Sequence, residues 1–449
     1  MTETDRGHVD VLGVGLGPFN LGLAALLADT DVEAAFLEQA SAFAWHEGML
    51  IEGATLEVPF LADLVTLADP TSEYSYLNYL RENDRIYEFY FYETFQVPRR
   101  EYDAYLGWVA DRLDSCRFGR RVTSVTETDS GFRVEAVDPE TGERYAFTAD
   151  DLVVGVGSRP YVPEQFRDCL GDAVFHTAQY RDRRDGALDS DAIAVVGSGQ
   201  SAAEVVLDLL ERQADYGYRL DWLTRSDGFF PMEYSKLGLQ HFTPEYTRYF
   251  SDLDQETRDE TLSDQDLLYK GIDVQTSARI YDTLYERSIG SGEPDFGMLA
   301  TTAVEDIEAT DDGYRLACHQ TQQDERFVHE AATVVLGTGY HRPTPSFLGP
   351  LEDALERDPK GRLRITEEYR VESDCAGRLF VQNAGVYTHG VGTPDLGLGC
   401  YRNAVIVEQL TGREVYPIDE DTVFQDFAVE QFVDDAPARR AREPARSDD

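Results

Sequence analysis

An α/β fold organised around two parallel sheets is predicted from three features of the 449-residue chain. The segment "HVDVLGVGLGPFNLGLAALLA" reads as a short apolar strand, a glycine turn and a helix. "DAIAVVGSGQSAAEVVLDLLER", about 180 residues later, repeats the same order. Two late buried strands, in "ATVVLGTGYHRPTP" and "GRLFVQNAGV", also run into glycines. Strand–glycine–helix units of this kind build Rossmann-like nucleotide-binding sheets. The first unit is completed from the far C-terminus, so one unit is inserted within the other. The expected boundaries are 8–188 and 337–432 for a discontinuous first domain, and 189–229 and 291–336 for a second. A small, mostly helical region is expected over 230–290, with a disordered tail over 434–449.

The intervening elements follow in order. "VEAAFLEQ" is a second strand ending in an acid. Residues 59–70, "PFLADLVTLADP", read as a helix start, and the aromatic run 86–95, "IYEFYFYETF", as core or a hairpin face. Tyr102, Tyr105, Leu106, Val109 and Leu113 recur at helical spacing, predicting a helix over 100–116. Turn signals at Asp129-Ser130-Gly131 and Thr141-Gly142 divide residues 121–148 into an antiparallel ribbon. "RLDWLTR" is the strand after the second glycine unit, and a helix is expected over 401–410.

Charge is the strongest bulk signal. There are 85 acids against 40 bases, a net charge of −45, and only three lysines, Lys236, Lys270 and Lys360. A lysine-poor acidic surface suits a halophilic cell with high internal salt, where screening shortens electrostatic range to roughly 3 Å at 1 M. It disfavours nucleic-acid partners. No apolar run is long enough for a membrane span. The polar N-terminus argues against a secretory signal. Five scattered cysteines without a CxxC predict a reduced, cytoplasmic chain with no metal framework and no redox dithiol.

In the first glycine cluster, Gly13, Gly15 and Gly17 precede Pro18 at the sixth motif position, where glycine or alanine is usual. Gly13 and Gly15 permit a tight turn and close approach of a pyrophosphate, and Glu38 stands where a ribose hydroxyl is held. In the second, Gly197 and Gly199 lead into Gln200 and Ser201, with alanine at the sixth position. Arg225 occupies the slot after the next strand, where it would meet a 2′-phosphate and favour NADPH. One Rossmann unit inserted within another is the layout of a flavoprotein with two dinucleotide sites, one for flavin and one for the reductant, which implies hydride transfer; without a redox dithiol, oxygen activation follows.

Several stretches resemble one family, the microbial N-hydroxylating monooxygenases that act on lysine, ornithine or diamines in hydroxamate siderophore synthesis. They are "GVGLGPFNLGLAAL", "FAWHEGMLIEGATLEVPFLADLVTLADPTSEYSYLNYL", "VGSGQSAAE", "FTPEYTRYF", "LGTGY" and "THGVGTPDLGLG". The resemblance spans about residues 8–412. Pro18, the Trp45-His46-x-Gly48-Met49 block and Thr338-Gly339-Tyr340 are its specific marks. It implies a non-covalently held FAD reduced by NADPH, oxygen activated on the flavin, and transfer of one oxygen atom to a neutral primary amine. No side chain is assigned as a catalytic base. By resemblance, Gly13, Gly15, Gly17, Pro18, Glu38, Trp45, His46 and Gly339 lie along FAD. Gly197, Gly199, Gln200, Ser201 and Arg225 lie along NADPH. A homo-oligomer, dimer or tetramer, is expected. "FHTAQY" keeps His176 and Tyr180 of the fingerprint of carbon- and sulfur-oxygenating relatives, but its glycine spacing is one residue too long.

The family also bears on the amine. Amino-acid-hydroxylating members read FLKDL, whose lysine meets the substrate carboxylate; here Ala62 replaces it. Their late-loop serine is Gly397, and two asparagines that hold the amino-acid head match Leu239 and Leu268. An unpaired carboxylate in a partly buried pocket costs several kcal/mol. The expected substrate is therefore a short diamine such as diaminopropane, putrescine or cadaverine. Alternatives are L-lysine or L-ornithine with Arg99 or Arg100 as anchor, or a non-hydroxylating NADPH oxidase. Glu57, where glutamine is usual, is placed to hold a second ammonium, or is one more surface acid.

Overall fold

The computed structural model describes residues 4–290, 294–418 and 422–429. Its larger sheet has seven strands. The order runs Cys116–Arg117, Ala34–Leu37, Thr4–Val14, Arg144–Val154, Phe132–Val137, Arg121–Glu127, with Leu379–Val381 also on Arg144–Val154. The four central strands are parallel and pair in one register: Val14 meets Leu37 and Val154, and Val381 meets Val154. Their carboxyl ends therefore open at one crevice, where ligands of open α/β sheets bind. Apolar runs such as Val11-Leu12 and Leu152-Val153-Val154 are buried because helices or loops cover both faces.

A second sheet of five strands is parallel throughout: Val174–His176, Thr333–Leu336, Ala192–Val196, Arg219–Leu223, Phe296–Leu299. A three-stranded antiparallel sheet, from Thr302–Thr310 to Glu325–Ala331, packs beside it. The boundary expected at 188 is corrected. Val174–His176 pairs with Thr333–Leu336, and helix Tyr180–Leu188 packs with the second core, so the crossover precedes residue 174.

The 230–290 region is mostly helical, over Pro244–Asp252, Gln255–Asp264, Asp266–Tyr269 and Val274–Arg287. Thr243, Asp254 and Asp273 cap three of these helices by accepting main-chain N–H bonds. The region is not one body. Its first two helices pack on Val386–His389, while Val274–Arg287 packs on Gln200–Tyr216 of the second domain.

Three further expectations change. Residues 61–69 form turns rather than a helix start, because Asp63 accepts from the main-chain N–H groups of Val65, Thr66 and Tyr76 and closes the chain on itself. The run 86–95 contains an exposed helix, Ile86–Tyr92, with no buried residue. The late helix begins four residues early, at Gly397. The expected tail over 434–449 lies outside the described residues.

Candidate active site

Three cavities carry the predicted site residues other than Gly13, and two of them share part of their lining. The first groove, about 430 Å³, lies at the crevice of the seven-stranded sheet and is lined by Gly15, Gly17, Pro18, Glu38, Trp45 and His46 among others. Gly15 has φ +85°, and a Cβ there would sit 2.6 Å from the Gly155 carbonyl oxygen, so the turn tolerates only glycine. Pro18 opens the helix Pro18–Leu27, where a missing N–H costs nothing. Glu38 accepts from the Leu16 and Ala40 N–H groups at 2.9 and 3.0 Å and presents its carboxylate to the groove. Gly13 departs from its expected place: a Cβ on it would strike the Phe36 ring at 2.1 Å, so it serves strand packing, not the groove.

The sequence reading passed over three groups here. Asn20 is buried and donates to the Gly15 carbonyl oxygen at 2.7 Å, fastening the glycine turn. Its signal was a lone amide in the apolar helix start "PFNLGL". Asn383 lines the groove with an unpartnered side-chain oxygen and φ +50°. Arg342 reaches the same groove, its pKa lowered by burial. An orphan polar atom, a guanidinium and a bare glycine turn at a helix N-terminus fit a dinucleotide such as FAD.

The second groove, about 820 Å³, is lined by Gly197, Ser198, Gly199, Thr224, Arg225 and the Gly337–Gly339 turn. Arg225 is exposed there and has no hydrogen bond or ion pair among the described residues. A free guanidinium beside a glycine turn suits the extra phosphate of NADPH. Gly339 belongs to this groove and not to the first. His176 holds it there, its Nε2 lying 3.0 Å from the Gly339 carbonyl oxygen while its Nδ1 accepts from Ala178 N–H. Tyr180 likewise donates to Asp208 at 2.7 Å, so both retained fingerprint residues are structural.

The central cavity, about 650 Å³, shares Trp45, His46, Pro394 and Leu396 with the first groove. All five residues expected to face the amine line it: Glu57, Ala62, Leu239, Leu268 and Gly397. Gln200 and Ser201 line it too, and so depart from the second groove. The first turn of helix Gln200–Tyr216 points inward, and the Gln200 amide accepts from Asp273 N–H at 2.7 Å and donates to Glu204 at 3.0 Å.

The electrostatics of the cavity are lopsided. Arg99 donates both prongs of its fork to Glu204, at 2.8 and 2.7 Å, and one to the Met49 carbonyl oxygen. Its guanidinium is therefore spent. Arg100 lies outside the cavity beside Glu52. Glu57 makes no side-chain hydrogen bond or ion pair among the described residues. Burial, then the Glu204 charge, push its pKa up to about 7, against the pull of Arg99. Asp395, another residue the sequence reading missed, lines the cavity and accepts from Gly397 N–H at 2.8 Å; burial raises its pKa also. His46 is left-handed at φ +52°, and burial followed by Arg99 lowers its pKa to about 4, so it faces the cavity neutral. Apolar walls, two carboxylates that make no ion pair among the described residues, and an arginine already engaged by Glu204 suit a chain that carries positive charge.

Comparison with known proteins agrees with this geometry. The family model described as L-lysine 6-monooxygenase/L-ornithine 5-monooxygenase matches residues 7–342. The rhizobactin siderophore biosynthesis protein RhbE of Rhizobium meliloti (strain 1021) is 43% identical over 432 residues, covering 94% of this chain and 95% of that protein. A putrescine N-hydroxylase from Shewanella oneidensis is 41% identical, covering 95% and 85%. The FAD-bound crystal structure of DfoA, the cadaverine monooxygenase of desferrioxamine biosynthesis in Erwinia amylovora, has a TM-score of 0.89 at 38% identity, covering 94% and 98%. The chain belongs to the family of N-hydroxylating monooxygenases.

Proposed function

We propose that this protein N-hydroxylates one amine of a short linear diamine, such as diaminopropane, putrescine or cadaverine, for hydroxamate siderophore synthesis. The first groove, with Gly15, Gly17 and Glu38, would hold FAD and the second, with Gly197, Gly199 and Arg225, NADPH; together they would supply the hydride and oxygen chemistry of the reaction. The observation that carries the substrate reading is the cavity's charge. Among the described residues Glu57 and Asp395 face it with no ion-pair partner, while Arg99, the candidate carboxylate anchor, is engaged by Glu204. The putrescine and cadaverine enzymes among the relatives support the same class.

The residues divide the work. Glu57 takes the distal ammonium, which favours its ionised form and reverses the effect of burial. Leu56, Val58, Leu239 and Leu268 enclose the methylene chain and exclude water. Trp45 and His46 stand where the cavity meets the first groove, and the neutral imidazole adds no positive charge beside the reacting amine. Trp45 is fixed by its main-chain N–H to Asp103 at 2.8 Å and by edge contact with Tyr102.

Among the described residues no helix is long and apolar enough to cross a membrane. We place the enzyme in a reducing, salt-rich cytoplasm, consistent with its five free cysteines and its charge of −45. The exposed aromatic face of helix Ile86–Tyr92 supports a homo-oligomer, dimer or tetramer. The purified protein tests the activity. A yellow enzyme that forms hydroxylamine from a diamine with NADPH in molar KCl supports the proposal; NADPH loss without hydroxylamine makes it an oxidase.

A further inference from the structure

The wall of the amine cavity that carries Leu239 and Phe242 comes from the loop 233–243, whose only regular element is the short 3-10 turn Gly238–His241. That turn buries none of its residues, so its own packing holds it weakly. Toward the cavity it is tied by the Tyr234 hydroxyl, which donates to the Glu57 carbonyl oxygen. On its outer side lies the C-terminal segment 422–429. Phe424 and Gln425 both donate main-chain N–H bonds to Gln240 Oε1, each at 2.9 Å. Thr422 donates its main-chain N–H and its hydroxyl to the Glu245 carboxylate. The Phe427 ring closes the cluster, 5.3 Å from His241 and 4.9 Å from Tyr246 between centroids. Leu239 and Gln240 are neighbours, as are His241 and Phe242. One member of each pair meets the strap while the other meets the cavity.

We propose that residues 422–429 form a strap that positions the amine site, with Phe427 as its main anchor, holding Leu239 and Phe242 against the substrate's methylene chain. This rests on the amine-site reading above but not on which amine is preferred. None of the strap's residues lines the cavity. Its contribution therefore passes through the loop, and Phe427 is a positioning residue.

Steady-state kinetics of Phe427→Ala, Phe427→Tyr and Gln240→Ala test it, using whichever amine the wild-type enzyme turns over fastest. Phe427→Ala should raise the amine KM about tenfold, the scale of one pocket contact. Its kcat at saturation, its melting temperature and its amine-free flavin reduction by NADPH should stay near wild type. Phe427→Tyr should restore the KM, and Gln240→Ala, which spares the aromatic cluster, should give an intermediate rise. An unchanged KM in both Phe427→Ala and Gln240→Ala overturns the strap, as does a loss that tracks melting temperature or flavin content. A wild-type enzyme that hydroxylates no amine overturns the amine-site reading instead. If Phe427→Ala does not fold, Gln240→Ala alone decides.

Discussion

Ala62 and Gly397 adjoin on the wall of the central cavity: a Cβ on Gly397 would lie 3.7 Å from the Ala62 Cβ, an ordinary van der Waals contact. The two positions come from segments over 330 residues apart, yet they form one corner. Both carry the smallest side chains available, so the corner offers a substrate carboxylate neither charge nor hydroxyl. The same built Cβ would lie 2.9 Å from the Asp395 carboxylate, so any side chain at Gly397 displaces the acid that lines this wall.

Ala62→Lys puts a cation into that corner. Diamine kcat/KM should fall roughly 100-fold, equivalent to ~3 kcal/mol, through repulsion of the substrate ammonium. Activity on lysine should rise. Initial rates on cadaverine and lysine, compared between variant and parent, check both directions.

Glu57→Gln removes the carboxylate assigned to the distal ammonium. Diamine KM should rise at least about 30-fold, while pentylamine, which lacks that ammonium, should be handled alike by both proteins. The pH dependence follows from a carboxyl pKa raised to about 7 in the folded protein. The ionised form binds the ammonium, so diamine KM should fall as pH rises through about 7. Stability runs the other way. The folded state holds this proton more tightly than the unfolded state, so the amine-free parent loses stability as pH climbs from about 4.5 to 7. Glu57→Gln should abolish that loss and melt higher than the parent above pH 7. Equal diamine KM in the two proteins would remove Glu57 from the site.

Glu204→Gln breaks a buried fork between helix Arg99–Ala110 of the first domain and helix Gln200–Tyr216 of the second. The partners are 13% and 6% exposed, and leaving Arg99 unpaired should cost about 3 kcal/mol. Denaturant titration should show this as a lower midpoint. A freed guanidinium also repels the diamine, so KM should rise as well.

Arg225→Ala should raise the KM for NADPH about 10- to 100-fold by removing a charge-assisted contact to the 2′-phosphate. The KM for NADH should not move. Equal effects on the two reductants would place the arginine outside the phosphate site.

The sequence was most informative where chemistry is local. Gly15, Gly17 and Gly199 announce their turns because a glycine cluster between a strand and a helix has one common geometry. It was less informative about which way neighbouring residues face. Gly13 turns toward Phe36, Gln200 and Ser201 toward the central cavity, and Gly339 toward the second groove, and no motif spacing encodes those directions. Val174–His176 is three residues long and was hidden by its shortness; only its pairing with Thr333–Leu336 reveals the sheet it joins. Asp395 and Arg342 were invisible because each gains its role from chain segments distant in sequence. The pocket residues Glu57, Ala62, Leu239, Leu268 and Gly397 were found by resemblance alone, and the fold brings all five together.

Cadaverine and lysine test the central claim most directly, because lysine is cadaverine with one added carboxylate. The measurement is kcat/KM for hydroxylamine formation from each, with NADPH in molar KCl. A site whose Glu57 and Asp395 make no ion pair among the described residues, with Ala62 in place of a cation, predicts a preference for cadaverine of at least about 100-fold, or ~3 kcal/mol. Equal values, or a preference for lysine, would contradict it.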